Sequence, residues 1–308
     1  MLLFFCDRSL IAFIHLINVP HAIAHRYMLN NIRLLLQACH NLNIAYEILH
    51  DHENLVKIKL NKNYYFCNYS TPFVDQSVFK ILKDKEYTYS ILKEKIKIPK
   101  TSGFLSPFCD EKYQEYLKFK TIPEIAQEIK RIFKFSVIVK RNSGSSGHNV
   151  FLCKSFEEIE TALTTIFNIH DKNYDYIAIA QEYIVIKREY RAIFLNRKLI
   201  LLYEKDISQA IFTGNLSPLH WEGAQAKYID NCQIISEIET FCQPIFQELN
   251  LDYTGLDIAV DEHGQYWFIE ANSHPNYDIF TRDNGSELAI QVFEKMLTFL
   301  ASKAGNRQ

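Results

Sequence analysis

The stretch Thr254–Asn272 limits what this chain can fold into more than any other. Leu256, Ile258 and Val260 alternate with Asp257 and Ala259, then Asp-Glu-His-Gly (261–264) interrupts, and a second apolar-rich run follows. Period-two alternation on either side of a Gly-containing turn predicts an antiparallel hairpin. With that four-residue connection Val260 pairs with Gln265, Asp257 faces Phe268 and Gly255 faces Glu270. Asp257, Glu270 and Asn272 then project from one face, while Leu256, Ile258, Val260, Trp267 and Ile269 form the apolar face opposite. Two carboxylates and an amide oxygen are hard ligands suited to Mg²⁺, which also keeps waters and phosphate oxygens in its shell. The bland alternative is a pair of surface charges. Like charges placed nearly opposite are destabilising without a cation, however. A connection of odd length would break the parity.

A second feature is the loop Ser143-Gly144-Ser145-Ser146-Gly147, between two β-type runs, with Lys140 closing the first. Glycines allow close backbone approach, and successive N–H groups can form an anion-binding nest. A P-loop would instead enter a helix and carry its lysine after the glycines. On its own the loop reads equally well as a flexible hairpin tip; a neighbouring lysine is what a polyphosphate site would add.

At 308 residues the chain is long for one core and fits two or three subdomains around a cleft. Hydrophobic content of 48% with 23% charged residues is ordinary for a globular protein, and a formal charge of −2 gives no reason to expect nucleic acid or an anionic membrane as partner. Seven cysteines without a CxxC pair argue against a disulfide framework or structural zinc, so a cytoplasmic protein is expected. The apolar runs Met1–Phe5 and Ser9–Val19 are split by Asp7-Arg8 and are too short to span a bilayer, which makes them buried segments of an N-terminal domain.

Helical spacing of Ile32, Leu35, Leu36 and Cys39 is followed by β-type runs at 44–49 and 55–69, and helical patterns return at 75–95 and 111–118. Thr121 with Glu124, and Ser155 with Glu158, have capping-box spacing and open two helices around the strands 135–140 and 149–153. Strands follow at 176–182, 189–195 and 198–203. A helix at 233–249 holds Pro244 as a candidate kink, and a last amphipathic helix covers 286–300. The blocks predict a mixed α+β architecture with a possible Rossmann-like unit in front.

Taken in order, Lys85 (in Asp-Lys-x-x-Thr), Ile98-Pro-Lys-Thr101, Lys140 with Gly144–Gly147, Gln181-Glu182, Glu189-Tyr-Arg191, Asn215-Leu-Ser217, Asp257 and Glu270-Ala-Asn272 resemble the ATP-grasp superfamily. The resemblance runs from about residue 73 to the C-terminus and is similar to the carboxylate–amine ligases, including RimK-type glutamate ligases and the ligase half of cyanophycin synthetases. It implies a glutathione-synthetase-like α+β ATP-grasp fold. Residues 1–95 would form a pre-ATP-grasp domain, 96–178 a central lid and 179–308 the C-terminal part with the metal site.

It also implies the following roles. Lys85, Lys140 and the loop Ser143, Gly144, Ser145, Ser146, Gly147 would hold the ATP phosphates. Gln181, Glu182, Tyr183 and Ile184 would lie at the adenine, with Glu189 on the ribose. Asp257, Glu270 and Asn272 would bind one or two Mg²⁺, with Mn²⁺ as a substitute, and Arg191 and Asn215 would face the transferring phosphoryl group. The implied activity joins a carboxylate to an amine on a small molecule or peptide, with a homo-oligomer left open. A kinase acting on a hydroxyl, or a non-catalytic ATP-binding module, are the alternatives. Two departures from the family pattern concern the substrate side: Leu219-His-Trp-Glu-Gly223 replaces a glycine pair, and His274 interrupts a small-residue run before Pro275.

Overall fold

The computed structural model describes residues 27–144 and 147–303, so Met1–Phe5, Ser9–Val19, Ser145 and Ser146 lie outside the described residues. The middle third is built as the capping signals predict. Thr121 Oγ1 accepts from Glu124 N at 3.3 Å to start α4 (Ile122–Ile132), and Ser155 Oγ accepts from Glu158 N at 3.3 Å to start α5 (Phe156–Ile166). The reciprocal arm reaches one residue further back than in a standard capping box: Glu124 accepts from Lys120 N and Glu158 from Lys154 N. Both helices cover one face of an antiparallel sheet made of β4 (Thr101–Leu105), β5 (Val137–Arg141), β6 (Val150–Cys153) and β7 (Ile177–Glu182), in the order β4-β7-β5-β6. Ile125, Ile129, Ile159 and Leu163 pack there on Val137, Val139, Ala178 and Ala180.

A second antiparallel sheet carries the rest. It consists of β8 (Ile186–Leu195), β9 (Lys198–Asp206), β10 (Gln225–Tyr228), β11 (Tyr253–Asp261) and β12 (Tyr266–Asn272), in the order β10-β9-β8-β11-β12. The middle of the sheet is buried on both sides, which is why Ala192–Leu195 reads as a continuous apolar run and not as an alternation. Tyr190, Ala192 and Phe194 face α6 (Cys232–Glu248), which continues through Pro244. Ile193, Leu195, Leu201 and Tyr203 face α1 (Asn30–Asn41) and α8 (Glu287–Ser302), with α7 (Asp278–Asn284) alongside. No helix among the described residues is long and apolar enough to cross a membrane.

In the N-terminal part the structure departs from expectation. β1 (Tyr46–Ile48), β2 (Leu55–Lys59) and β3 (Asn63–Cys67) form an antiparallel sheet, so the parallel strands of a Rossmann-like unit are not found among the described residues. Ile32, Leu35, Val56 and Phe66 also share one core with Val292, Phe293 and Leu297 of α8. The helical pattern at 75–95 is two helices, α2 (Gln76–Lys83) and α3 (Lys85–Leu92). Asp84 ends the first and caps the second, its Oδ1 accepting from Tyr87 N at 2.8 Å. The short polar strand β10 and the seven-residue α7 carry too few apolar positions to be legible in sequence.

The hairpin β11–β12 forms, but its register is not the expected one. Val260 pairs with Tyr266 and Ile258 with Phe268, and Asp257 then pairs directly with Glu270. Asp261 explains the first shift. Its Oδ1 accepts from both His263 N and Gln265 N at 2.9 Å, and Gly264 at φ 77° completes a connection one residue longer than the sequence suggests. That extra residue alone would turn Glu270 away from Asp257. A bulge between Asp257 and Ile258, opposite Ile269, adds a second residue and restores the shared face.

The apolar face is corrected accordingly. Phe268 is fully buried beside Leu256 and Ile258. Trp267 donates Nε1 to Asp261 at 2.9 Å with Lys97 over its ring, and Ile269 faces a cavity. Phe268→Ala is expected to lower unfolding free energy by about 3–5 kcal/mol in a denaturant titration, and Trp267→Ala by less than half of that.

Candidate functional site

The site lies where the second sheet stops being apolar on the side that faces α1 and α8. Following Ile193 down β8, the same face presents Arg191 and then Glu189. Tyr203 on β9 is followed by Lys205, and Gly255 on β11 by Asp257. Arg191 stands directly across from Asp257 in the ladder.

Arg191 holds the Asp257 carboxylate with two nitrogens, the Nη2–Oδ2 contact being 3.1 Å, and Lys205 Nζ lies 3.1 Å from Oδ2. Lys205 also donates to Glu189. Side chains of Lys205 and Asp257 are each 5% exposed, so these charges are almost out of water. Burial alone would raise the Asp257 carboxyl, but Arg191 and Lys205 outweigh it and hold Asp257 below its ordinary value. For Glu189 burial wins over Lys205 and the carboxyl is raised. Sequence reasoning missed Lys205. Its signal was parity: in β9 it falls in phase with Leu201 and Tyr203, whose side chains are buried.

The lid sheet brings the lysine and the glycine loop. Lys140 on β5 is buried and donates to Gln181 Oε1 at 2.8 Å, and Gln181 in turn donates to Thr101 Oγ1 at 2.9 Å. Burial, and after it the charge of Lys85, pushes the Lys140 ammonium down to about 8. Lys85, at the start of α3, donates to Gly144 O at 2.6 Å and Asn142 O at 3.3 Å, and stands 3.9 Å from Glu270 Oε2. Asn142 fixes this junction by accepting from Glu86 N at 3.1 Å. Gly147 has φ +70°, and a Cβ there would come within 1.9 Å of Asn215 Oδ1, so loop and Asn215 meet only because that residue is glycine.

An open cleft runs between the two sheets. Lys85, Lys140, Gly144, Gln181, Glu182, Tyr183, Ile184, Glu189, Asp257 and Glu270 all line it. Tyr183 and Ile184 lie where the chain leaves β7 and before β8 begins, outside the strand ladders. Ile138, Ile186 and Ile269 add apolar walls that sequence reasoning had not assigned. Ser143 and Asn272 line an adjoining cavity instead, while Gly147, Arg191 and Asn215 line neither. Asn215 Oδ1 accepts from Ser217 N at 2.8 Å, and its carbonyl accepts from Trp221 Nε1 at 2.5 Å.

The donor set fits a hard divalent cation as a half-site. Asp257 and Glu270 are cross-strand neighbours on one face, and Asn272 Nδ2 donates to Glu270 Oε1 at 3.3 Å. Among the described residues no group of three or more His, Cys, Asp or Glu could cage a metal. Such an incomplete shell suits Mg²⁺, which shares its coordination with water and phosphate. Asp257 is occupied by two cations, so Glu270 is the carboxylate with spare capacity.

Residues 90–296 match the family described as the RimK-like ATP-grasp domain, and the chain belongs to that family. Two curated relatives are an uncharacterized protein of Mycoplasma genitalium, MG012, 31% identical over 173 residues (54% of this chain, 53% of the relative), and its Mycoplasma pneumoniae homolog, 27% identical over 173 residues (56% and 54%). The chain thus spans about half the length of the curated relatives it matches. Among solved structures it is similar to a bifunctional glutathione synthetase from Pasteurella multocida (TM-score 0.52, 15% identity, 89% of this chain and 44% of that one). It is also similar to a D-alanine–D-alanine ligase from Bacillus anthracis (TM-score 0.51, 18% identity, 73% and 68%). At these identities the likeness is one of fold.

The buried ion network should be visible in stability. Asp257→Asn leaves Arg191 and Lys205 without their carboxylate and should cost about 3–5 kcal/mol in denaturant unfolding, whereas Glu270→Gln should change little. The folded pKa of Asp257 lies below its unfolded value, so the carboxylate stabilises the fold above about 3.9, and that contribution is lost as pH falls through the folded pKa. The acid limb of the stability profile should therefore be shallower in Asp257→Asn.

Proposed function

We propose that this chain is an ATP-dependent carboxylate–amine ligase. The observation that carries the reading is the convergence, on one cleft, of Lys85 and Lys140 with the opposed carboxylates Asp257 and Glu270. With Arg191, Lys205 and Glu189 alongside, the charges gathered there suit a Mg-bound polyphosphate better than a neutral ligand. Lys85, Lys140 and the glycine loop would bind the phosphates. The apolar walls Ile138, Ile186 and Ile269, with the Tyr183–Ile184 backbone, would take the base, and Glu189 the ribose. Glu270 and Asn272, with Asp257 behind them, would hold Mg²⁺, which when bound neutralises phosphate charge. Arg191 would act by fixing Asp257.

In the proposed reaction an acid oxygen attacks the γ-phosphorus, the bond to ADP breaks, and an acyl phosphate forms. An amine nitrogen then attacks the acyl carbon, inorganic phosphate leaves with its oxygen, and the nitrogen loses a proton. The protein contributes positioning and charge neutralisation, with no covalent protein intermediate.

ADP release should require a carboxylate and an amine together and should stop on adding EDTA; a phosphorylated hydroxyl product with no amide would sink the ligase reading. Lys140→Ala should weaken ATP binding at least about tenfold, as expected for loss of a buried charge-assisted contact. Because a polyphosphate favours charged Lys140, wild-type affinity should be full below about pH 8 and decline as pH rises above it. Lys140→Arg should remove that decline in a calorimetric pH series.

A further inference from the structure

Beside the proposed nucleotide cleft lies a second cavity, which shares Lys85, Gly144 and Glu270 with it. Its far wall comes from α2 and from the turn after β12, and three side chains define it. His274 Nδ1 is 2.8 Å from Ser273 Oγ, the Phe79 ring meets the imidazole edge-on at 5.2 Å, and Lys83 Nζ stands 5.8 Å from the Phe79 centroid. The contact with Ser273 occupies Nδ1, and Nε2 makes no hydrogen bond among the described residues.

The charge inventory of this cavity is lopsided. Lys83, Lys85 and Glu270 are the charged residues that line it. Glu270 sits at the boundary shared with the first cleft, away from the far wall, and Lys83 makes no ion pair among the described residues. A zwitterionic amino acid would thus find no carboxylate on the far wall for its ammonium. An acid whose reacting end lies at the shared Lys85–Glu270 boundary would meet the Lys83 ammonium and the His274 imidazole at its other end.

We propose that this cavity takes the acid substrate and that the substrate is a dicarboxylate, its non-reacting carboxylate read by Lys83 and His274. The proposal rests on the ligase reading for which end reacts, but the recognition itself is a matter of binding.

The test is calorimetric titration of the full chain, saturated with Mg²⁺ and adenosine 5′-(β,γ-imido)triphosphate, with length-matched acids: succinate against butyrate, and glutarate against pentanoate. In at least one pair the dicarboxylate should bind about tenfold tighter, the scale of one charge-assisted contact. Lys83→Ala should remove that advantage and Lys83→Arg should retain part of it, with nucleotide affinity the same in all three proteins. Equal binding within both pairs, no binding of any acid, or an advantage that survives Lys83→Glu overturns the proposal.

The same acids with ATP and hydroxylamine, which traps an acyl phosphate as the hydroxamate, separate the two readings. A Lys83-dependent dicarboxylate preference without hydroxamate removes the ligase reading and leaves the cavity assigned. Hydroxamate formed as readily from butyrate as from succinate keeps the ligase and removes the dicarboxylate.

Discussion

A carboxylate held between two cations inside a sheet organises this protein. Asp257 stands where β8, β9 and β11 run side by side, and Arg191 and Lys205 reach it from β8 and β9. Taking such charges out of water costs several kcal/mol per ion, and mutual attraction repays it only with good geometry. The network therefore adds little net stability, and its use lies elsewhere. It lets an apolar sheet face run without a break into a charged one, so that a rigid core and a polar cleft share the same strands. It also fixes a pattern of paired charges beside the cleft, with no rearrangement required when charge develops in the proposed phosphoryl transfer.

The hairpin shows how finely this placement is set. An acceptor side chain at Asp261 lengthens the turn by one residue, and a bulge opposite Ile269 lengthens β12 by another. Either insertion alone would put Glu270 and Asn272 on the side of Phe268. Together they return both to the side of Asp257 and leave Ile269 free to line the cleft. Bulges next to sites commonly re-aim a side chain in this way.

Two cavities meeting at Lys85, Gly144 and Glu270 give the cleft a direction. The apolar walls and the buried Lys140–Gln181–Thr101 chain lie on one side, and the basic wall of Lys83 and His274 lies on the other. Gly147 joins the lid to the loop that carries Asn215, because only a residue without a Cβ fits between them. The two cavities are thereby in contact through a boundary of three residues.

Much of this is legible in the linear chain. Strand alternation and capping residues are local properties, and they yield the α+β class and most elements; the family resemblance carried by the order of the motifs adds ten residues that line one cleft. Distances between segments far apart in the chain are another matter. Nothing linear shows that Lys205 pairs with Glu189 and Asp257, that the N-terminal strands are antiparallel and share a core with α8, or that Lys83 comes to lie beside His274. Even the shared face of the hairpin is reached through an expected register that is wrong by one in the turn and by one more at the bulge. Side-chain hydrogen bonds at Asp261 set the length of that turn, and the alternation of apolar residues does not record them. Which chemical groups the protein owns, and in what order, follows from its residues alone. Which of those groups share a charge follows from folding, because burial and pairing are properties of neighbours in space.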